Sequence, residues 1–129
     1  MARLIITLVL LFGLIGTAFW EQSFIGSAYT QLETKVAELT ETMTPQDDIQ
    51  TDENMQKTIE MYDFWLEKEQ RLSIIAKHSE LAQISDAIIY VKNFVEFGIK
   101  EEAFAGIRRL NYLIRAQRHN FAVSFPNAF

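Results

Sequence analysis

An all-α fold is predicted for this chain, from three observations. Apolar residues recur every three or four positions over most of its length and nowhere alternate with the period of a strand. Only two prolines and five glycines interrupt 129 residues. Leu4 to Trp20, LIITLVLLFGLIGTAFW, is uncharged and apolar on every side of a helix. The expected architecture is an N-terminal transmembrane helix that continues into a long amphipathic helix, followed by a small antiparallel bundle of about three further helices.

The apolar run is 17 residues long, roughly 26 Å as a helix. That is the short edge of a spanning segment, which takes about 17–25 residues, and slightly more than a signal-peptide core of about 7–15. Phe19 and Trp20 stand where an aromatic belt meets headgroups, and Arg3 precedes the run while Glu21 and an acidic stretch follow it. The charge asymmetry predicts a cytoplasmic N-terminus and an extracytoplasmic remainder at the cell membrane. Residues 1–20 are then the anchor and residues 21–129 an extracytoplasmic helical domain. Gly16-Thr17-Ala18 also offers small residues at the −3 and −1 positions of a cleavage after Ala18, which leaves a secreted domain open. A buried helix of a soluble protein is the third reading of an all-round apolar segment.

Absence of cysteine excludes disulfides, thiolate zinc sites and a cysteine nucleophile. The core must come from apolar packing, to which ten Phe, four Tyr and two Trp contribute. Charge is uneven. Residues 21–54 hold eight acids against Lys35, and residues 98–119 hold Lys100, Arg108, Arg109, Arg115 and Arg118 against Glu101 and Glu102. These two stretches can attract each other within the fold or between copies. The overall acidity, −5, argues against a nucleic-acid partner.

The first helix is expected to leave the membrane and continue through Phe24, Ala28, Leu32, Val36, Leu39 and Met43, an apolar stripe of helical period. Gly26-Ser27 is a candidate kink, and Pro45 predicts an end by Thr44. Two starts compete for the second helix: Thr44-Pro45-Gln46-Asp47, and Thr51-Asp52-Glu53-Asn54. From either it runs to about Lys77 with Met55, Ile59, Tyr62, Trp65 or Leu66, Leu72 and Ile75 inward. After a break capped by Ser79, a third helix covers Glu80 to Phe97, with Leu81, Ile84, Ile88, Val91 and Phe94-Val95 inward and Gly98 as its stop. The fourth starts near Lys100, places Glu101 and Glu102 at its positive end, carries Phe104, Ile107, Leu110, Ile114 and Phe121, and stops at Pro126.

This order of features resembles a family of short, N-terminally membrane-anchored, all-helical proteins of Gram-positive, often spore-forming bacteria, a domain of unknown function. The residues that carry the resemblance are the run Leu4 to Trp20, Trp65, His78-Ser79-Glu80 leading into Ile84, and the ending Ser124-Phe125-Pro126-Asn127-Ala128-Phe129. The family typically ends in Asn, a branched aliphatic and Phe, with a glutamate before that ending. Here Ala128 replaces the aliphatic, Pro126 is unusual and the glutamate is missing. The resemblance implies an anchored helical protein and brings no catalytic residue.

Chemistry is sparse. His78 and His119 are 41 residues apart, not the three or four of a helical metal pair. Asp47, Asp48, Asp52 and Glu53 lack the central glycine and spacing of a calcium loop and read as a solvated turn. No G-x-S-x-G, Ser-x-x-Lys, H-E-x-x-H, phosphate-loop or dinucleotide-binding glycine pattern is present. Tyr62, Phe64 and Trp65 read as core before ligand platform. The expectation is therefore a non-catalytic interaction or assembly protein without metal or cofactor, partnered by the membrane and by another protein or its own copies. Phe24, Ala28, Leu32, Val36, Leu39 and Met43 are the candidate self-association stripe. Arg108, Arg115 and Arg118 share one broad side of the fourth helix and are the candidate surface for an anionic envelope ligand. An enzyme reading depends on a buried polar cluster around His78 or His119.

Overall fold

The computed structural model describes the chain except residues 74–76 and 128–129, and except the side chains of residues 18, 19, 21–23, 25 and 121–127. Four helices follow one another: α1 (Ala2–Met43), α2 (Asp52–Leu72), α3 (His78–Glu96) and α4 (Lys100–Asn127). The described residues contain no strand. Each helix packs on its two neighbours in a closed ring, with α1 against α2 and α4, and α3 against α2 and α4. This is the up-down-up-down arrangement that short connections favour.

α1 is 42 residues long, about 63 Å, and it serves two purposes. From Ala28 onward it is one wall of the bundle, with Ala28, Tyr29, Leu32, Val36, Leu39 and Met43 all but sealed from solvent. Over residues 4–17 it stands clear of the core. Gly26-Ser27 does not break the helix: α1 is continuous there, and Gln31 Nε2 donates to Ser27 Oγ at 2.8 Å.

Between the two candidate starts of α2, the structure selects Asp52. Thr51 is extended (φ −122°, ψ 153°) and its hydroxyl accepts from Asn54 N at 3.1 Å, so an orphan N–H at the helix start is satisfied. Pro45 instead belongs to the loop. The buried face of α2 is rotated by about one residue from expectation. Asn54, Thr58, Met61, Trp65 and Leu72 are inside, while Ile59 and Tyr62 lie toward the rim. The reason is polar: Asn54 Nδ2 donates to Gln46 Oε1 (2.6 Å) and Ile49 O (2.9 Å), tying the α1–α2 loop to the helix. These bonds satisfy the donor side of the buried amide, while Asn54 Oδ1 is buried without a hydrogen-bond partner among the described residues.

α2 ends at Leu72 and not near Lys77. Ser73 Oγ donates to Gln70 O at 2.8 Å, the local side-chain bond by which serine competes with the helix ladder. Ile75, expected inside, lies outside the described residues. α3 begins at His78 with Lys77 as its N-cap and no side-chain cap, so Ser79 does not cap it. Its inward face matches the expected one. Pro126 does not stop α4, which runs to Asn127; at the last turn a proline removes only one ladder bond. Phe121 is outside the described side chains.

Between α3 and α4, Gly98 N donates to Val95 O and Ile99 N to Phe94 O, with Gly98 at φ 71°. This is a glycine C-cap of the Schellman type. A Cβ at Gly98 would lie 3.3 Å from Gln50 Cβ. Gly98→Ala is expected to cost about 1–2 kcal/mol from left-handed backbone strain alone, read as a lower urea midpoint with unchanged slope. At Gly106 a Cβ would come within 2.6 Å of the Tyr90 ring and 2.9 Å of Val91 Cγ2. A glycine there is what lets α3 and α4 approach so closely.

Candidate functional site

The first candidate is the apolar run. From Leu4 to Ile15 its large side chains are exposed on every side of α1, Phe12 at 69 % and Leu10 at 69 %. Nothing in the bundle covers them. The run's described side chains are those of residues 4–17 and Trp20, and among the described residues no helix is long and apolar enough to cross a membrane. Trp20 stacks on Phe24, ring centroids 5.8 Å apart. Lys68 from the end of α2 lies over that same Phe24 ring, 5.2 Å from its centroid, and Lys35 over Phe64 at 5.1 Å. Aromatic faces and lysine charges thus join the foot of α1 to α2.

The second candidate, the stripe Phe24, Ala28, Leu32, Val36, Leu39 and Met43, is not a free surface. Five of the six are buried and Phe24 is half-buried against the same core. Helices α2 and α4 already cover the stripe, so self-association through it would require opening the bundle. A periodic apolar face reports burial without reporting what buries it.

The arginines of α4 divide. Arg118 crosses to α1 and bonds Glu33 Oε2 at 3.2 Å, both side chains about 40 % exposed. Such a pair contributes about 0.2–1 kcal/mol. Arg108 and Arg115 are exposed and make no ion pair among the described residues. The attraction between acidic and basic stretches is therefore realised within the fold at one contact between α1 and α4. Lys100 provides another link: its ammonium donates to Thr44 O at 3.0 Å and to Gln46 O, covering carbonyls at the end of α1. Nothing in the sequence pattern pointed to Lys100 as a cap for another helix.

One buried polar cluster ties all four helices together. Tyr29 Oη donates to Gln117 Oε1 at 3.1 Å, Gln117 Nε2 donates to Glu80 O, and Trp65 Nε1 donates to Leu81 O at 3.3 Å. The rings of Tyr29 and Trp65 are 5.6 Å apart. Burial, and then the Glu80 charge, raise the Tyr29 pKa from 10.0 to about 12. The fold favours the neutral phenol, so this contribution is complete below pH 10 and disappears as pH rises through about 12. The shift corresponds to about 2–3 kcal/mol. Denaturant unfolding should show stability falling across that window, by a smaller amount in Tyr29→Phe.

This cluster has the donors of a structural network and no nucleophile. His78 and His119 are both exposed and stand outside it. A shallow groove of about 270 Å³ is lined by Leu66, Glu69, Gln70, Ser73 and His78, and its carboxylate is engaged: Ser85 Oγ donates to Glu69 Oε2 at 2.8 Å. Among the described residues no three His, Asp or Glu side chains converge to hold a metal ion. Trp65 is core, fully buried, with Tyr62 and Phe64 half-buried beside it. Asp47, Asp48, Asp52 and Glu53 are exposed, and Asp48 accepts from Gln50 N at 2.9 Å. No protein family, curated protein or solved structure matches the chain.

Proposed function

We propose that this chain is a single-pass membrane protein in which Leu4 to Trp20 is the anchor and the bundle is a non-catalytic, extracytoplasmic interaction or assembly module. One observation carries the reading: large apolar side chains cover α1 on all sides over residues 4–17, outside any core. Monomeric proteins rarely leave an apolar surface of this extent to water. The full run, roughly 26 Å long, is near the lower limit of a spanning helix. Arg3 before it and the acids after it orient it with the N-terminus inside. The family likeness of the anchor, Trp65 and the C-terminal ending fits the same reading.

Extraction at alkaline pH tests it. The chain is expected to stay in the membrane pellet, with the bundle digested by protease added to intact cells and an N-terminal tag protected. Release into the supernatant removes the anchor reading. Release together with a new N-terminus at Phe19 establishes instead the secreted domain produced by cleavage after Ala18.

A protein partner, another chain or a further copy, has to meet the bundle on a surface other than the buried stripe. Phe97 (69 % exposed) and Ile99 (44 %) stand at the end farthest from the anchor and are the exposed apolar side chains best placed for it. Crosslinking in membranes that yields only monomers counts against the assembly reading. The exposure of Arg108 and Arg115 favours a second reading, a binding module for an anionic envelope polymer. Changing Arg108, Arg115 and Arg118 to Ala should then abolish binding to isolated envelope polymer, and persistent binding removes that reading.

A further inference from the structure

Two outward ridges of the bundle match in spacing, level and direction, and differ in charge. On α2 the ridge is Gln56, Glu60, Asp63 and Glu67, and on α4 it is Arg108, Tyr112, Arg115 and His119, every side chain exposed. Both advance in steps of four, three and four residues, which keeps each on one face of its helix. Among the described residues α2 and α4 pack on α1 and α3 but not on each other. They stand diagonally in the ring, so their ridges look to opposite sides. Tyr29 of α1 packs on Trp65 and bonds Gln117, which sets position 65 level with position 117. Further along α1, Glu33 bonds Arg118 and Lys35 lies over Phe64, in the same register. That register sets Gln56 level with Arg108, Glu60 with Tyr112, Asp63 with Arg115, and Glu67 with His119.

The bases of α2 stand off its ridge. Lys57 and Lys68 are half-buried, with Lys68 over the Phe24 ring, and Arg71 lies at the end of the ridge, paired with Glu67 at 3.4 Å. That pair is about 60 % exposed on both sides, a kind that contributes little and exchanges easily. On α4, Glu101 precedes Arg108 by two turns and Glu102 accepts from Tyr90 Oη at 2.8 Å. On the helices beside α4, Glu33 is taken by Arg118, while the exposed Glu41 and Asp86 make no ion pair with Arg108, Arg109 or Arg115 among the described residues. Tyr112, 68 % exposed, sits between Arg108 and Arg115. Tyrosine and arginine are the side chains that most often carry binding energy between proteins.

We infer that the α4 ridge of one copy docks on the α2 ridge of a second copy, so that copies line up side by side in the plane of the membrane. The inference rests on the anchor and assembly readings. The anchor holds every copy at one height and in one direction. A sideways shift therefore brings Arg115 to Asp63 and Tyr112 to Glu60 with no change of register, a guanidinium and a phenol each meeting a carboxylate. The two ridges differ and lie on opposite sides, so the contact is heterologous and each end of a row can add another copy. Exposed ion pairs are individually weak. Confinement in the bilayer raises the effective concentration at which they meet, as tethering does. Phe97 and Ile99, on the turn between α3 and α4, stay outside this contact and remain open to a different protein.

The chain has no cysteine, so Glu60→Cys and Tyr112→Cys can be introduced singly or together in the full-length protein, reconstituted in phosphatidylcholine vesicles and oxidised. The double variant is expected to give disulfide-linked dimers, trimers and longer products, and each single variant only monomers, because the two positions lie on different faces. The products should fade as salt rises from about 0.1 to 1 M and the screening length falls from about 10 to 3 Å. Adding Arg115→Glu to the double variant should abolish them, and adding Arg115→Glu with Asp63→Arg should restore them. If Arg115→Glu fails to fold by circular dichroism, the salt titration decides. Protein that floats with the vesicles yet gives no products overturns the row and leaves the anchor standing. Oligomers then caught by an amine-reactive crosslinker keep the assembly reading on other surfaces. Arg115-dependent binding to isolated envelope polymer, with no products, overturns the row and gives the α4 ridge to the polymer. Dimers from a single variant also overturn it, because they report a symmetric contact. Protein that fails to float removes the anchor, and the row with it.

Discussion

Replacing Val9 and Phe12 together by Arg is expected to move the chain from the membrane pellet to the soluble fraction without unfolding the bundle. Each arginine near the centre of a spanning helix costs about 2.5–3.5 kcal/mol on insertion scales, and the pair costs roughly twice that before the lost apolar side chains are counted. A run at the lower length limit has little insertion energy to spare. The bundle should not respond, because Val9 and Phe12 are 64 % and 69 % exposed and belong to no core contact. Exposed positions of this kind change folding free energy by less than about 0.5 kcal/mol. Fractionation and thermal melting of the same variant therefore separate insertion from folding. Retention in the pellet after alkaline extraction would falsify the spanning role of the run.

Trp65→Ala should be the most damaging change in the bundle, lowering the unfolding free energy by about 3–5 kcal/mol. Trp65 is fully buried, packs on Tyr29 from α1, and donates from Nε1 to Leu81 O on α3. Truncation therefore leaves a large cavity and removes the indole's hydrogen bond where three helices meet. For a small domain this is a large share of total stability, typically about 5–15 kcal/mol. Trp65→Phe fills most of the cavity and should recover most of the loss, leaving the missing hydrogen bond, about 0.5–1.5 kcal/mol because Leu81 O keeps its place in the α3 ladder. Urea unfolding followed by far-ultraviolet circular dichroism measures both. A Trp65→Ala midpoint equal to that of the parent chain would show that the indole is not part of the core.

The two changes address the two halves of α1, which differ in what surrounds them. Over residues 4–17 an apolar helix meets no protein, and from Ala28 to Met43 an apolar stripe is fully enclosed. Periodicity reads the two stretches correctly as all-round and one-sided, but it does not name the occupant of the other side. This is why a stripe suited to self-association proves to be the inner wall of the bundle. The same limit explains the rotated face of α2. Asn54 and Thr58 carry polar atoms and read as surface, yet Asn54 turns inward because Gln46 Oε1 and the Ile49 carbonyl are there to receive its amide. The acceptors come from a loop, and no helical period records them.

Local chemistry was legible in detail. Pro45 ends α1, Thr51 is a competent cap, and Gly98 takes the left-handed conformation that stops α3. Each depends on one residue and its immediate backbone, so the physics is complete within a few positions. Ser73 was missed for the same kind of reason in reverse, because its bond to Gln70 O is one of several short-range options a serine has.

The amino-acid sequence by itself determined that the chain is helical, where α1 ends, where α3 stops and α4 starts, and which described apolar residues face inward on α1, α3 and α4. These follow from propensity, capping and period, which act over a few residues. Only the tertiary structure decided that the α1 stripe is covered from within, that among the described residues Arg118 is paired while Arg108 and Arg115 are not, and that Lys100 caps a different helix. Those outcomes depend on antiparallel packing, which brings residues as distant as Glu33 and Arg118 to one level, and no local pattern contains that register.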